Sequence, residues 1–274
     1  MVKLVFVDMD DTFLMPDKSI SAENQRVLDL AYEKGVQFVP CTGRNITGLP
    51  ERLVSHPCVR YAACANGAII ANAKTGEVLH SVSIEKDLVR ALYDEVKDLP
   101  ITFDVFADGT VYTPADRWGY LDKINLSEPT REMVKSVRRR WDGSAEEMFD
   151  QVGDICRVNV FYLDRADATR VWDAVDARPE LTRATSLPCN IEITRAEATK
   201  GTAVRWLSEY LGVLLADVVA FGDSDNDLTM LEVAGDGVAM GNANAAAKAA
   251  ADHVCGTCVE SGVARYLEPL LLAQ

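Results

Sequence analysis

Short apolar runs that end abruptly in polar residues set the rhythm of the first eighty positions. Leu4 to Val7 is a continuous β-prone run, the pattern of a strand buried on both faces of a parallel sheet, and it stops at Asp8. Polar residues follow to Asp17. Ser21 to Tyr32 then predicts a helix, with Ser21 as N-cap, Asn24 at the third helical position and Gly35 as its stop. Val36 to Val39 is the next predicted strand, running into Cys41-Thr42-Gly43-Arg44. Val59 to Cys64 and Ala68 to Ala71 follow as strands around the turn dipeptide Asn66-Gly67. Strand, helix and strand, each strand ending in polar residues, imply a parallel sheet.

Between about Val82 and Arg195 the pattern changes. Glu85 to Lys97 reads as a helix, and Ile101 to Phe106 with Thr110 to Thr113 as strands joined by a hairpin at Asp108-Gly109. Helices are expected over Glu128 to Arg140 and Arg165 to Asp176, and strands over Cys156 to Tyr162, Leu181 to Ser186 and Asn190 to Thr194. Hairpins mixed with helices suggest an antiparallel sheet with helices on one face. The βαβ pattern then resumes. Lys200 to Leu211 is a helix stopped by Gly212, Asp217 to Phe221 a buried strand entering Gly222-Asp223, and Asp227 to Ala234 a short helix. Gly237 to Met240 is another strand and Ala243 to Ala251 an alanine-rich helix. The expected architecture is α/β, a Rossmann-like doubly wound parallel-sheet core over 1–82 and 196–274, interrupted by an inserted α+β domain over 83–195.

The chain has 274 residues, enough for two moderate domains. At 48% hydrophobic and 26% charged it has the composition of an ordinary soluble globular protein. The net charge of −14 repels nucleic acid and anionic membrane, so neither is expected as partner. It also repels phosphorylated metabolites, unless lysine, arginine or a metal concentrates positive charge locally. No apolar run approaches the roughly 20 residues needed to cross a bilayer, and the apolar N-terminus is too short for a signal peptide. Seven scattered cysteines read as reduced thiols of a cytoplasmic protein. Cys255-Gly256-Thr257-Cys258 is a lone pair without a second one, and His56, His80 and His253 belong to no motif. The sequence carries no signal of oligomeric state.

Three polar clusters stand at the C-terminal ends of predicted core strands, the edge where open α/β sheets bind ligands. Asp8-Met9-Asp10-Asp11-Thr12 concentrates negative charge that a cation would relieve, and all-oxygen ligation suits Mg²⁺. By itself the run reads equally as a solvated acidic loop. Thr42-Gly43-Arg44 offers a hydroxyl, an approachable backbone N–H and a guanidinium, the parts of an anion site, and also reads as a loop entering a helix. Gly222-Asp223-Ser224-Asp225-Asn226-Asp227 lacks the sixth-position glycine and twelfth-position glutamate of an EF-hand. Lys200, alone, reads as a solvated lysine.

Taken together, the clusters resemble the motifs of the haloacid-dehalogenase-like hydrolases, and within them the Cof-type sugar-phosphate phosphatases with a large α/β cap. Asp8, Asp10 and Thr12 are similar to the first motif and Thr42 to the second. Lys200 is similar to the third, and Gly222-Asp223 with Asp227 to the fourth. Asn66-Gly67, Ile191-Glu192-Ile193, the run Val238 to Asn242 and Gly262-Val263-Ala264 add to the match. Asp11 departs from it, standing where the family usually has glycine. The resemblance implies a Mg²⁺-dependent phosphatase of small phosphorylated metabolites. Asp8 would be the nucleophile and Asp10 the general acid and base. Mg²⁺ would sit on Asp8, the Asp10 backbone carbonyl and Asp223, with Asp227 close by. Thr42, the N–H groups of Met9 and Gly43, Lys200 and Asn226 would bind the phosphoryl oxygens. The inserted domain would supply specificity. A phosphomutase or a non-hydrolytic phosphate-binding regulatory protein are the competing readings, and Arg117, Trp118, Tyr120 and Arg157 have the chemistry to meet a substrate but equally that of core or surface residues.

Overall fold

The computed structural model describes residues 1–185 and 187–274, which form two compact units: Met1–Ser81 with Ala198–Gln274, and Val82–Glu197. In chain order the first unit begins with β1 (Leu4–Val7), α1 (Ala22–Glu33), β2 (Gln37–Pro40), α2 (Glu51–Val54), β3 (Tyr61–Cys64), β4 (Ile69–Asn72) and β5 (Val78–Ser81). The second unit holds α3 (Lys86–Val96), β6 (Asp104–Ala107), β7 (Thr110–Pro114), α4 (Ala115–Trp118), α5 (Glu128–Ser136) and β8 (Arg138–Trp141). It continues with α6 (Ala145–Gln151), β9 (Arg157–Phe161), α7 (Arg165–Asp176), β10 (Leu181–Ala184) and β11 (Asn190–Arg195). The first unit resumes with α8 (Lys200–Leu211), β12 (Val218–Gly222), α9 (Leu228–Val233), β13 (Asp236–Ala239), α10 (Ala245–Ala250), β14 (His253–Val254) and α11 (Gly262–Leu272).

In the first unit a five-stranded sheet runs β14-β13-β12-β1-β2, every pair parallel. Its unbroken apolar strands are explained by two-sided burial. Val5, Val7, Val219 and Phe221 pack with Val27 and Leu28 of α1 and Leu267 and Leu271 of α11. Leu4, Phe6, Val218 and Ala220 face the other way, onto Val204 and Leu207 of α8 and Met230 of α9. The strand order reverses direction between β1 and β12, the switch point where the crossovers leave a crevice beyond the strand ends. A small antiparallel sheet, β3-β4-β5, lies beside it.

The second unit is a six-stranded sheet, β10-β11-β9-β6-β7-β8, antiparallel except for the β7–β8 pair. One face packs Val105, Val158, Val160, Ile191 and Ile193 with the apolar sides of α3, α6 and α7. The opposite face carries a buried polar network. Asp104 accepts hydrogen bonds from Thr113 (2.8 Å), Arg138 (2.9 Å) and Asn159 (3.2 Å), and Arg157 pairs with Glu192 (3.3 Å) over the Phe106 ring.

Two expectations need correction. The helix expected over Glu128 to Arg140 stops at Ser136, and Arg138–Trp141 forms β8 instead. The lysine and arginines of Val-Lys-Ser-Val-Arg-Arg-Arg favour helix, but the ladder with β7 and the Arg138–Asp104 ion pair override them. The strand expected to reach Ser186 ends at Ala184, and Ser186 itself lies outside the described residues. Among the described residues no helix is long and apolar enough to cross a membrane.

Candidate active site

Asp8 begins where the β1–β12 ladder ends, its N–H donating to the Phe221 carbonyl at 2.9 Å. The chain then turns broadly through Met9–Phe13. Phe13 N–H returns to the Asp8 carbonyl (3.2 Å) and Leu14 N–H to the Met9 carbonyl (2.8 Å). Met9 drops its side chain into the core, so only its backbone faces outward for chemistry. Asp11 adopts a left-handed backbone (φ 58°), which accounts for glycine being the usual residue at such a turn. Its side chain is exposed, and its carbonyl accepts from Asn242.

The first-strand loop meets the loop after β12. Thr12 Oγ1 donates to Asp223 Oδ1 at 2.9 Å. Asp227 turns back on its own loop, its Oδ2 accepting from the N–H groups of Asp223 (2.9 Å) and Ser224 (3.1 Å). That fold-back requires Gly222: a Cβ there would lie 2.4 Å from the Asp227 Cβ. Lys200, on the first turn of α8 and wholly buried, places Nζ 2.5 Å from both Asp8 Oδ1 and Asp227 Oδ1. Its position depends on Gly67 (φ 95°), where a Cβ would stand 2.1 Å from the Thr199 carbonyl oxygen.

Asp8, Asp223 and Asp227 thus bring carboxylate oxygens within 4.8 Å of one another. One ammonium faces three carboxyls, and the electrostatics reflect the shortfall. Burial, then the Asp227 and Asp223 charges, raise the Asp8 carboxyl to about 8 against the opposing pull of Lys200. Burial and Asp227 raise Asp223 to about 6. Lys200 is held in its ammonium form: Asp227 and Asp8 outweigh the burial that would discharge it. An all-oxygen set short of positive charge, containing neither histidine nor cysteine, fits a hard divalent cation of the Mg²⁺ kind.

Asp10 stands apart from that trio. Arg44 grips both its oxygens, Nε to Oδ2 at 2.8 Å and Nη2 to Oδ1 at 2.5 Å, and Lys18 Nζ reaches Oδ1 at 2.8 Å. Burial raises its pKa, yet the hydrogen bonds and charges of the two cations prevail and hold the carboxyl below its ordinary value. Thr42 is buried, its hydroxyl accepting from Arg44 N–H (3.2 Å). Asn226 donates through Nδ2 to Asn66 Oδ1 (3.0 Å), and Asn66 N–H donates to the Thr42 carbonyl (3.0 Å). A Cβ on Gly43 would come within 3.1 Å of the same Asn66 oxygen. Asp8, Lys200, Asp223 and Asp227 therefore form one network, and Thr42, Gly43 and Asn226 a second, organised by Asn66.

Two residues do more here than their sequence context signals. Asn66 reads as half of a turn dipeptide and as part of the family resemblance, and nothing local in the sequence signals its cross-loop bonds. Arg44 belongs to a run with the parts of an anion site, and the anion it holds is Asp10. Elsewhere, Arg117 is buried and spends its guanidinium on the Leu99 (2.7 Å) and Lys97 carbonyls, a structural task. His56 sits between Asp29 and Cys58, and His80 stacks on Trp206, neither in contact with the carboxylate trio. All seven cysteines are free thiols.

A family model described as haloacid dehalogenase-like hydrolase matches residues 5–267. The Bacillus subtilis protein YxeH is 33% identical over 280 residues, with both chains covered completely. A second Bacillus subtilis relative, 5-amino-6-(5-phospho-D-ribitylamino)uracil phosphatase YwtE, is 28% identical over 290 residues, covering 100% of this chain and 99% of its own. The solved structure of a haloacid dehalogenase-like hydrolase from B. subtilis superposes with a TM-score of 0.79 at 28% identity, covering 97% of this chain and 99% of the other.

Proposed function

The chain belongs to the haloacid dehalogenase-like hydrolases, and on that premise we propose that it is a Mg²⁺-dependent phosphatase acting on small phosphate monoesters, sugar and polyol phosphates foremost, through an aspartyl-phosphate on Asp8. The observation that carries the reading is the meeting of Asp8, Asp223 and Asp227 around Lys200 at the switch point of the parallel sheet. The relative that acts on a phosphoribityl compound supports the substrate class.

An oxygen of the Asp8 carboxylate attacks phosphorus, forming an O–P bond as the bond to the leaving alcohol oxygen breaks. Asp10 gives that oxygen a proton from its protonated form, the minority form against the pull of Arg44 and Lys18. Water then attacks the same phosphorus, Asp10 takes a proton from it, and the Asp8 O–P bond breaks to release orthophosphate. Thr42, the N–H groups of Met9 and Gly43, Lys200 and Asn226 hold the phosphoryl oxygens. Asp8, the Asp10 carbonyl and Asp223, with Asp227 alongside, would hold Mg²⁺, which would supply the positive charge that lets an anion approach an anion. Lys200 keeps Asp8 oriented, and Asp227 keeps the Asp223 loop folded toward it. Selection among esters is assigned to the inserted residues 83–195.

A panel of phosphate esters assayed for orthophosphate, with Mg²⁺ and with EDTA, tests the reading. Release is expected with Mg²⁺ and not with EDTA. Asp8→Asn should stay folded and lose turnover by at least about 10⁴-fold. Phosphate release at the unmodified rate by Asp8→Asn, or transfer to a second sugar hydroxyl without free orthophosphate, would overturn it.

A further inference from the structure

We propose that Arg44 is the positioning residue of the acid/base Asp10, holding its carboxylate in one orientation through a two-pronged hydrogen bond. The inference rests on the acid/base role given to Asp10 above. The Asp10 side chain is 41% exposed, so packing does not fix it. Asp8, two residues before it, and Asp11, next to it, are acidic, and nothing in that stretch of chain would keep the carboxyl from swinging into solvent. The Arg44 fork prevents that. Nε and Nη2 take one Asp10 oxygen each, a planar arrangement that sets direction as well as distance.

The guanidinium is itself held from the far side, since Nη1 donates to the Gly48 carbonyl at 2.9 Å. The Arg44 backbone is tied to the phosphate-binding loops as well. Its N–H reaches the Thr42 hydroxyl, and its carbonyl accepts from Ala65 N–H at 3.0 Å. One residue thus references the acid/base to the loop that carries Thr42. Lys18 cannot substitute, because its ammonium is a point donor on a half-exposed side chain and contacts a single Asp10 oxygen. Nor is Arg44 placed as a substrate clamp. The edge that would meet a phosphate is already engaged by Asp10.

The test is a double-mutant cycle read by stopped-flow with 4-nitrophenyl phosphate and Mg²⁺, on Asp10→Ala, Arg44→Ala, Arg44→Lys and the Asp10→Ala/Arg44→Ala pair. The aryl leaving group departs without an acid, but water attack on the intermediate still needs the base. Asp10→Ala should therefore show a burst of nitrophenolate before a slow steady state. Arg44→Ala is expected to do the same, with kcat down about 10–100-fold and KM within about twofold. Arg44→Lys, which keeps the charge without the fork, should recover only part of the rate; it carries the same comparison should Arg44→Ala fail to fold. In the Asp10→Ala background, losing Arg44 should cost less than about twofold more. A raised KM at unchanged kcat, or a full additional loss on top of Asp10→Ala, would overturn the assignment. If Asp10→Ala itself turns over like the wild type without a burst, the acid/base role of Asp10 falls first, and the role of Arg44 falls with it.

Discussion

At the scale of single residues, the site is governed by how charge is distributed in a buried space. A lysine with no exposed surface is stable here only because two carboxylates share its ammonium, and those carboxylates tolerate burial only because the lysine is there. Lys200→Met, close in volume but uncharged, should destabilise the protein by about 3–5 kcal/mol at pH 8, because it leaves Asp8 and Asp227 buried without their cation. The deficit should shrink at pH 5, where the abandoned carboxyls take up protons. Urea titrations at the two pH values measure both numbers, and an equal deficit at each would refute the argument. The acidic residues of this site could be picked out from the sequence, because each follows a strand end in a short polar run. Lys200 is marked only by its resemblance to the third motif, and its burial between Asp8 and Asp227 could not be read, since a lysine at a helix start looks the same whether solvated or buried.

At the scale of elements, what matters is where one backbone crosses another. The turn after β3 passes so close to the start of α8 that Gly67 has no room for a side chain, and its left-handed backbone would disfavour one in any case. Gly67→Ala should cost about 2–3 kcal/mol, more than the roughly 1 kcal/mol of the backbone conformation alone, because the Thr199 carbonyl must move. Since Lys200 follows Thr199, turnover should fall as well. A melt showing less than about 1 kcal/mol of loss would mean that the contact is slack. Elements with strong local signals, such as β1, α1 and α7, emerge from the chain at nearly the bounds the pattern predicts. β8 does not, because its arginines are chosen by a partner strand and a buried aspartate from elsewhere in the chain. The edge strands β5 and β14 and the helix α6 have no clear sequence signal for a related reason. They are short and carry little periodicity of their own.

At the scale of the whole molecule, protons and a divalent cation compete for the same carboxyls. Asp8 at about 8 and Asp223 at about 6 both lie above their ordinary value, so the folded chain binds these protons more tightly than the unfolded chain does. Their contribution to metal-free stability is therefore greatest at low pH and declines as pH rises from about 4 through 8. Mg²⁺ binds the ionised forms and should reverse the decline. At a hundredfold excess over Kd it adds roughly 2.7 kcal/mol, a rise in melting temperature of about 5–10 °C. The rise should be clearly larger at pH 8 than at pH 5, as calorimetric scans with Mg²⁺ and with EDTA would record; the same rise at both would disprove the competition. The sequence by itself determined the α/β alternation, the interruption of the core by a different kind of sheet, and the polar runs at strand ends, because these follow from hydrophobic period and from residues adjacent in the chain. Only the tertiary structure decided that Lys200 bridges Asp8 and Asp227, that Asn66 ties Asn226 to Thr42, and that Arg44 holds Asp10. Those pairings join residues up to 192 positions apart, and the pattern of a chain records which groups are available long before it records which of them meet.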